Sequence, residues 1–271
     1  MSHPQVISDV SGLKVGIACR PPSERSGHQR RMGSGEFSAA QYNHLMKDEP
    51  RMPVRKIPRF GAQKNIGKFS SVKTGRVAWF ESLLERDYMY LLDYELAISY
   101  WVEQPLKIRF GDNGRTCSYT PDFEVHRHSK KQIVEVKTKE QVDSGEWDAL
   151  FSTASLICEQ EGYEFSVVTD EFIRQQPRLE NVKTLWKYAR TPIRARHQIL
   201  CIEFFREKQI AEIELSELIQ FFRAQHVPVQ TIYALLFWSV LNFDVTQPLN
   251  VASLITLPAA EISTTTYLRL S

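Results

Sequence analysis

The sequence predicts a mixed α/β domain followed by a mainly helical one. Two observations carry that expectation. Between residues 77 and 170 the apolar pattern runs helix, several strands, helix, strand. From residue 197 it returns to helical spacing and ends in short strand-like runs. At 271 residues, 42% apolar and 24% charged, the chain can form one large domain or two modest ones. The same composition excludes wholesale disorder, a collagen-like chain and a repeat array. No stretch nears the roughly 18 apolar residues of a membrane span. The longest largely apolar run, residues 232–240, reads as a core helix.

Residues 1–50 are rich in Ser, Gly, Pro and Arg without helical or strand period, and read as a disordered basic arm. Residues 51–76 stay basic, with Val54, Ile57, Phe60, Ile66 and Phe69 interleaved among the cations. That mixture suits a polyanion backbone. Residues 1–80 carry 14 Lys and Arg against five Asp and Glu, a balance of +9, whereas the rest of the chain balances at −7.

A helix is expected from Val77, with Phe80, Leu84, Tyr88 and Leu91 on one stripe and Glu81 and Glu85 on one face. Strands follow over residues 98–102, 106–110, 118–125 and 132–137, then a helix over 146–159 and a buried strand over 165–168. Residues 51–176 therefore form the expected first domain, with a basic lead-in. Residues 177–196 read as a basic helical connector. Residues 197–271 read as the second domain: helices over 200–209, from Ser216 and over 229–243, then strands near 244–245 and 254–257. Three helices and a terminal strand pair spell a winged-helix module, with a generic helical cap on the first domain as the equal alternative.

One tripeptide stands out for chemistry. Acid-x-Lys should arise about twice by chance in a chain of this length, yet Glu135-Val136-Lys137 is its one occurrence here. It follows the sole Pro-Asp pair, Pro121-Asp122, by thirteen residues. A hairpin between them can bring the Asp122 and Glu135 carboxylates together. Two such charges repel unless a cation lies between them, and Mg²⁺ takes one or two carboxylates with several waters. Lys137 shares the face of Glu135 because the strand period is two. Its ammonium can hold an attacking water and stabilise charge growing on a phosphate. Val136 points inward, with its carbonyl free to serve as a further ligand. The plain alternative is a surface ion pair between Glu135 and Lys137 on an ordinary hairpin. An acid from the preceding helix (Glu81, Glu85 or Asp87) tips the reading towards in-line hydrolysis of a phosphodiester.

The four cysteines, Cys19, Cys117, Cys158 and Cys201, have no C-x-x-C pair, and reduced thiols are expected. His126 and His128 flank a turn and read as solvated; Trp101, Trp147, Trp186 and Trp238 read as packing residues. The residues from Met1 to Gln5 lack a charged stretch leading into an apolar one, so a cytoplasmic setting is expected.

A helix acid, Pro-Asp and Glu-x-Lys in this order resemble the restriction-endonuclease-like PD-(D/E)xK signature. More narrowly, the runs KTGR at 73–76, FESLLERD at 80–87, EQP at 103–105, YTPDF at 119–123 and VEVK at 134–137 resemble the TnsA family, the endonuclease subunit of heteromeric cut-and-paste transposases. The resemblance covers residues 73–170. It implies a restriction-endonuclease-like mixed sheet followed by a winged-helix domain. It also implies cleavage of the transposon 5′ ends, freeing the non-transferred strand, beside a TnsB-like transposase and a TnsC-like AAA+ regulator, in a cytoplasmic, nucleoid-associated assembly. By motif it gives catalytic roles to Glu85, Asp122, Glu135 and Lys137, with Mg²⁺ (Mn²⁺ substituting) on Glu85, Asp122, Glu135 and Val136. Glu85 is preferred to Glu81 because it fills the Leu-Leu-Glu position.

Candidate DNA contacts are Arg55, Lys56, Arg59, Lys64, Lys68, Lys73, Arg76, Lys183, Lys187 and Arg190. Residues 198–271 carry four basic against seven acidic side chains, so that domain is expected to bind a protein, the regulator or the transposase, rather than DNA. The alternatives are a stand-alone restriction-like or junction-resolving nuclease and a catalytically silent DNA-binding adaptor of the same fold.

Overall fold

A computed structural model of the chain describes residues 52–53, 65–112, 115–127 and 130–258. The arm expected over residues 1–50 lies outside them. In chain order the elements are β1 (Gly67–Ser70), β2 (Val77–Phe80), α1 (Leu83–Tyr94), β3 (Ile98–Glu103), β4 (Ile108–Asp112) and β5 (Arg115–Tyr119). Next come β6 (Phe123–Arg127), β7 (Lys130–Lys137), α2 (Lys139–Asp143), α3 (Asp148–Gln160), β8 (Glu164–Thr169) and α4 (Asp170–Ile173). The last six are α5 (Arg178–Trp186), α6 (Ala195–Lys208), β9 (Glu212–Glu214), α7 (Leu215–Ala224), α8 (Val229–Phe237) and β10 (Leu254–Thr256). No helix among the described residues is long and apolar enough to cross a membrane.

The chain divides into two compact units. Of the described residues, the first takes those up to 68, 78–85 and 98–171; the second takes 69–77, 86–97 and 172–258.

The first unit is mixed α/β around a four-stranded mixed sheet of order β3-β6-β7-β8. The β3–β6 and β6–β7 pairs are antiparallel and β7–β8 is parallel. The parallel pair follows from the crossover through α3, which packs on β8. β7 reads as a central strand, buried from Ile133 through Val136. Leu106, Ile108, Ile133, Ala154, Cys158 and Tyr163 form a core cluster of this unit.

Two expectations change here. The helix expected from Val77 begins at Leu83, because residues 77–80 alternate exposed and buried at strand period as β2. The single strand expected over 118–125 is two strands in two sheets: β5 pairs with β4, and β6 lies in the central sheet. Pro121, which has no N–H for a ladder, lies at the break.

The second unit buries Leu185, Phe205, Leu215, Leu218, Phe222, Leu235 and Phe237 in one cluster. α5, expected within a connector, therefore contributes Leu185 and Val182 to buried positions. The segment 187–194 is not helical, as Thr191 precedes Pro192 and an α conformation there is disfavoured. α8 ends at Phe237 rather than 243, with Ser239 at a left-handed φ of 51°. Strand β10 pairs antiparallel with β9, while residues 244–245 form no strand and Asn242 makes an isolated bridge to Thr256.

Between Asn242 and β10 the chain is fixed by side chains. The buried Asn181 amide donates to the carbonyls of Val245 and Gln247, both at 2.8 Å, and its oxygen accepts the Leu249 N–H at 3.0 Å. Buried Asp87 takes Arg174 at 3.0 Å, Lys183 at 3.1 Å and Arg86 at 3.3 Å, and these cations hold its carboxyl below the usual range against the cost of burial. Cys158 and Cys201 are free buried thiols pushed up to about 12 by burial, whereas Cys117 is disulfide-bonded, so the expected reduced state holds for the first two.

Candidate active site

The β6–β7 register decides what meets at the end of the hairpin. Phe123 pairs with Val134, so Asp122, one residue before β6, comes beside Glu135. The Val136 N–H donates to Oδ2 of Asp122 at 2.8 Å. The Asp122 carbonyl accepts the Gln104 N–H at 2.8 Å. Gln104 holds a positive φ of 44° just before Pro105, and its side-chain amide donates to Oε1 of Glu81 at 2.9 Å. One left-handed residue after β3 thus ties together the Asp122 backbone and an acid two residues before α1.

Glu135 is 4% exposed in the middle of a buried strand, where a lone glutamate is rarely tolerated. Two donors account for it. Lys137 Nζ donates to Oε1 at 2.5 Å and the Tyr119 phenol donates to Oε2 at 2.6 Å. Burial and the Glu135 charge together push the Tyr119 hydroxyl far above its usual range, so it stays a donor. Burial works against the Lys137 charge, but Glu135 and Asp122 outweigh it and raise the ammonium above its ordinary value. The ammonium also lies 4.9 Å from the centroid of the Trp147 ring.

Glu85 enters from the first turn of α1. Ser82 Oγ accepts the Glu85 N–H at 3.1 Å, an N-cap arrangement. The Glu85 carboxylate returns to the Glu81 N–H at 2.8 Å. Its acid is raised by burial first, then by the charges of Glu81 and Glu135. Asp122 is raised well above its ordinary value by burial, Glu135 and Glu85, against the relief from Lys137 and the Val136 N–H.

Glu85, Asp122 and Glu135 therefore act on one another electrostatically with one ammonium, Lys137, among them. Such a set is short of positive charge, which a hard divalent cation on carboxylate oxygens would supply. As placed, no three of the His, Cys, Asp and Glu side chains among the described residues form a metal cluster. Glu135 spends both oxygens on Lys137 and Tyr119. The donor set fits Mg²⁺, which needs only one or two carboxylates with waters, provided Glu135 or its neighbours turn towards it.

The candidate DNA contacts divide. Arg55, Lys56, Arg59 and Lys64 lie outside the described residues. Lys68 is exposed, 4.9 Å from the Trp79 ring centroid. Lys73 donates to the Glu95 carbonyl. The Arg76 carbonyl accepts the Ser71 N–H at 2.9 Å, closing the turn between β1 and β2. Lys183 is paired with Asp87. Arg190 donates to the Ser70 carbonyl at 2.5 Å and lies 5.0 Å from the Trp186 ring centroid. Lys187 is exposed. His126 is held by Glu124 at 2.7 Å.

The sequence reading gives Tyr119 and Gln104 no role and takes Trp147 as a packing residue, so none of the three is placed at the site. Tyr119 and Gln104 do sit in the short motifs around Pro121 and Pro105, and that adjacency was the available signal. Trp147 carried none, because its contact with Lys137 is made through the crossover.

Residues 96–170 match the family model described as TnsA-like endonuclease N terminal. The matched stretch contains Asp122, Glu135 and Lys137 and begins after Glu85. Comparison with curated proteins returns no match.

Proposed function

For a chain that is TnsA-like over residues 96–170, we propose a metal-dependent DNA endonuclease that cuts the 5′ ends of a transposon as one subunit of a heteromeric transposase. The observation carrying this reading is the meeting of Asp122, Glu135 and Lys137 at one end of the β6–β7 hairpin, inside the matched stretch.

Asp122, Glu135 and Glu85, with the Val136 carbonyl, would hold Mg²⁺. The ion supplies Lewis-acid polarisation of the scissile phosphate and a lowered pKa for water. The chain's own groups do the rest. The Val136 N–H fixes the rotation of the Asp122 carboxylate. Tyr119 fixes Glu135. The Lys137 ammonium orients the attacking water and stabilises charge on the phosphate as the leaving oxygen departs.

The partners in this reading are a TnsB-like transposase, which handles the 3′ ends, and a TnsC-like AAA+ regulator. The second unit is a winged-helix module in the same reading. The order α6-β9-α7-α8-β10, the β9–β10 pairing and the Asn242–Thr256 bridge support that topology. Its acidic C-terminal balance suits a protein partner, while exposed Lys68 and Lys187 suit phosphates.

The test is strand nicking of transposon-end DNA by the full chain, with Mg²⁺ or Mn²⁺ and with or without the transposase. Metal-dependent nicking that Asp122→Ala abolishes is the expected result. Cutting that ignores the transposase points to a stand-alone nuclease. DNA binding without cutting, with the transposase present, points to the adaptor.

A further inference from the structure

Glu135 and Lys137 occupy each other in this structure, yet the proposed reaction asks them to part. A carboxylate drawn towards a cation gives up its ammonium, and an unheld lysine on a four-carbon stem has three donors and no fixed direction. The structure contains a second seat for that ammonium. Lys137 Nζ lies 4.9 Å from the Trp147 ring centroid, within cation–π range. The Lys137 side chain is only 15% exposed, and such an attraction strengthens as water is excluded.

The Trp147 ring is itself fixed. It stacks on Phe151 at 6.3 Å and 20°, and Phe151 packs against Phe165 at 5.8 Å. Phe165 belongs to β8, the parallel neighbour of β7, with Lys137 paired to Thr169. The ladder of three rings therefore runs from the strand beside Lys137, along the first turns of α3, back to the Lys137 ammonium. Trp147 precedes α3 and makes no side-chain capping bond, so helix capping does not explain its placement.

We propose that Trp147 is a positioning residue that keeps the Lys137 ammonium at the active site when Glu135 turns to the metal. The proposal rests on the nuclease reading above for its purpose, but its geometry can be tested apart from it.

The experiment uses the full chain with lysine labelled at Cε with ¹³C, the Lys137 signal being the one missing in Lys137→Arg. An ammonium over an indole face is shifted upfield by the ring current. Glu135→Gln removes the competing charge while keeping the shape of the side chain. The expected result is a Lys137 signal upfield of the other lysines in the wild type, in Glu135→Gln and in the wild type with Mg²⁺. The shift should shrink in Trp147→Phe and vanish in Trp147→Leu. Collapse of the signal into the other lysines in Glu135→Gln would show that Glu135 alone holds the ammonium and would overturn the proposal.

In nicking assays, Trp147→Leu should lower kcat at least tenfold with KM for DNA unchanged, and Trp147→Phe should recover most of it. Mn²⁺ affinity by calorimetry should stay within twofold in both variants. Equal kcat in Trp147→Leu and wild type would also overturn the proposal. A wild type that neither binds metal nor cuts would sink the nuclease reading, while the Glu135→Gln signal would still decide whether Trp147 holds Lys137.

Discussion

The backbone N–H of Val136 points at Oδ2 of Asp122 over 2.8 Å, although Val136 faces the core and Asp122 lies outside any strand. The hairpin ladder thus continues one step past its last backbone pair through a side chain. That bond gives Asp122 a fixed direction while leaving it raised well above the normal carboxylate range by burial, Glu135 and Glu85. A site arranged this way is electrostatically uncomfortable until something positive joins it.

Asp122→Asn should stabilise the metal-free protein. Asparagine retains an oxygen for the Val136 N–H and removes the buried charge that Glu135 and Glu85 oppose. The gain is read as a higher urea midpoint. The same variant should show no Mn²⁺ heat in calorimetry. An unchanged midpoint with full metal binding would remove Asp122 from the site.

The pH dependence has a definite sign. Asp122 and Glu85 titrate above their ordinary values of 3.8 and 4.5 when folded. Between those values and the raised ones the folded state binds more protons than the unfolded one, so stability falls as pH rises. Melting curves of the metal-free wild type should therefore improve on acidification from neutrality towards pH 5, and Asp122→Asn should flatten much of that slope. Asp87, whose carboxyl is lowered, acts oppositely: its stabilisation is present above 3.8 and lost as pH falls below it.

Asp87→Asn should cost about 2 kcal/mol, less than the ~3–5 kcal/mol of breaking a fully buried pair. Arg174 and Lys183 are 46% and 23% exposed and can partly rehydrate once the carboxylate is gone. Urea unfolding measures it, and a loss below about 0.5 kcal/mol would mean the three cations are solvated without Asp87.

Gly67→Ala should destabilise the first unit by about 1–3 kcal/mol. A Cβ at Gly67 would lie 2.3 Å from Cζ of Phe80, a ring that is itself buried. Glycine is needed here for closeness rather than for an unusual φ. The Gly67→Ala, Phe80→Leu double variant should recover part of the loss.

Much of the first unit was legible because its signals are local. The strand run over 98–102, the β7 run and the helix over 146–159 each report their own geometry, and the shared face of Glu135 and Lys137 follows from strand period alone. Phe80 misled because it fits a helical stripe through Leu84 and a strand alternation through Ala78 equally well; only the sheet pairing decides. Residues 187–194 misled because their basic character resembles a helix surface, whereas Pro192 sets the backbone. The contacts that Tyr119 and Trp147 make were illegible for a different reason. Each acts on a residue 16 or 10 positions away through a strand crossing or a crossover, and no local pattern encodes that meeting.

Asn181 carries an implication for chemical ageing of the second unit. Its amide hydrogens bind two carbonyls, from Val245 and Gln247, and its oxygen binds one N–H, from Leu249, so three backbone groups more than sixty residues away depend on one side chain. Hydrolysis of that amide to a carboxylate would turn both donors into lone pairs aimed at carbonyl oxygens. A change of one atom and one mass unit would then release the whole 245–249 stretch. Its amide protons would exchange faster, far along the chain from the altered residue.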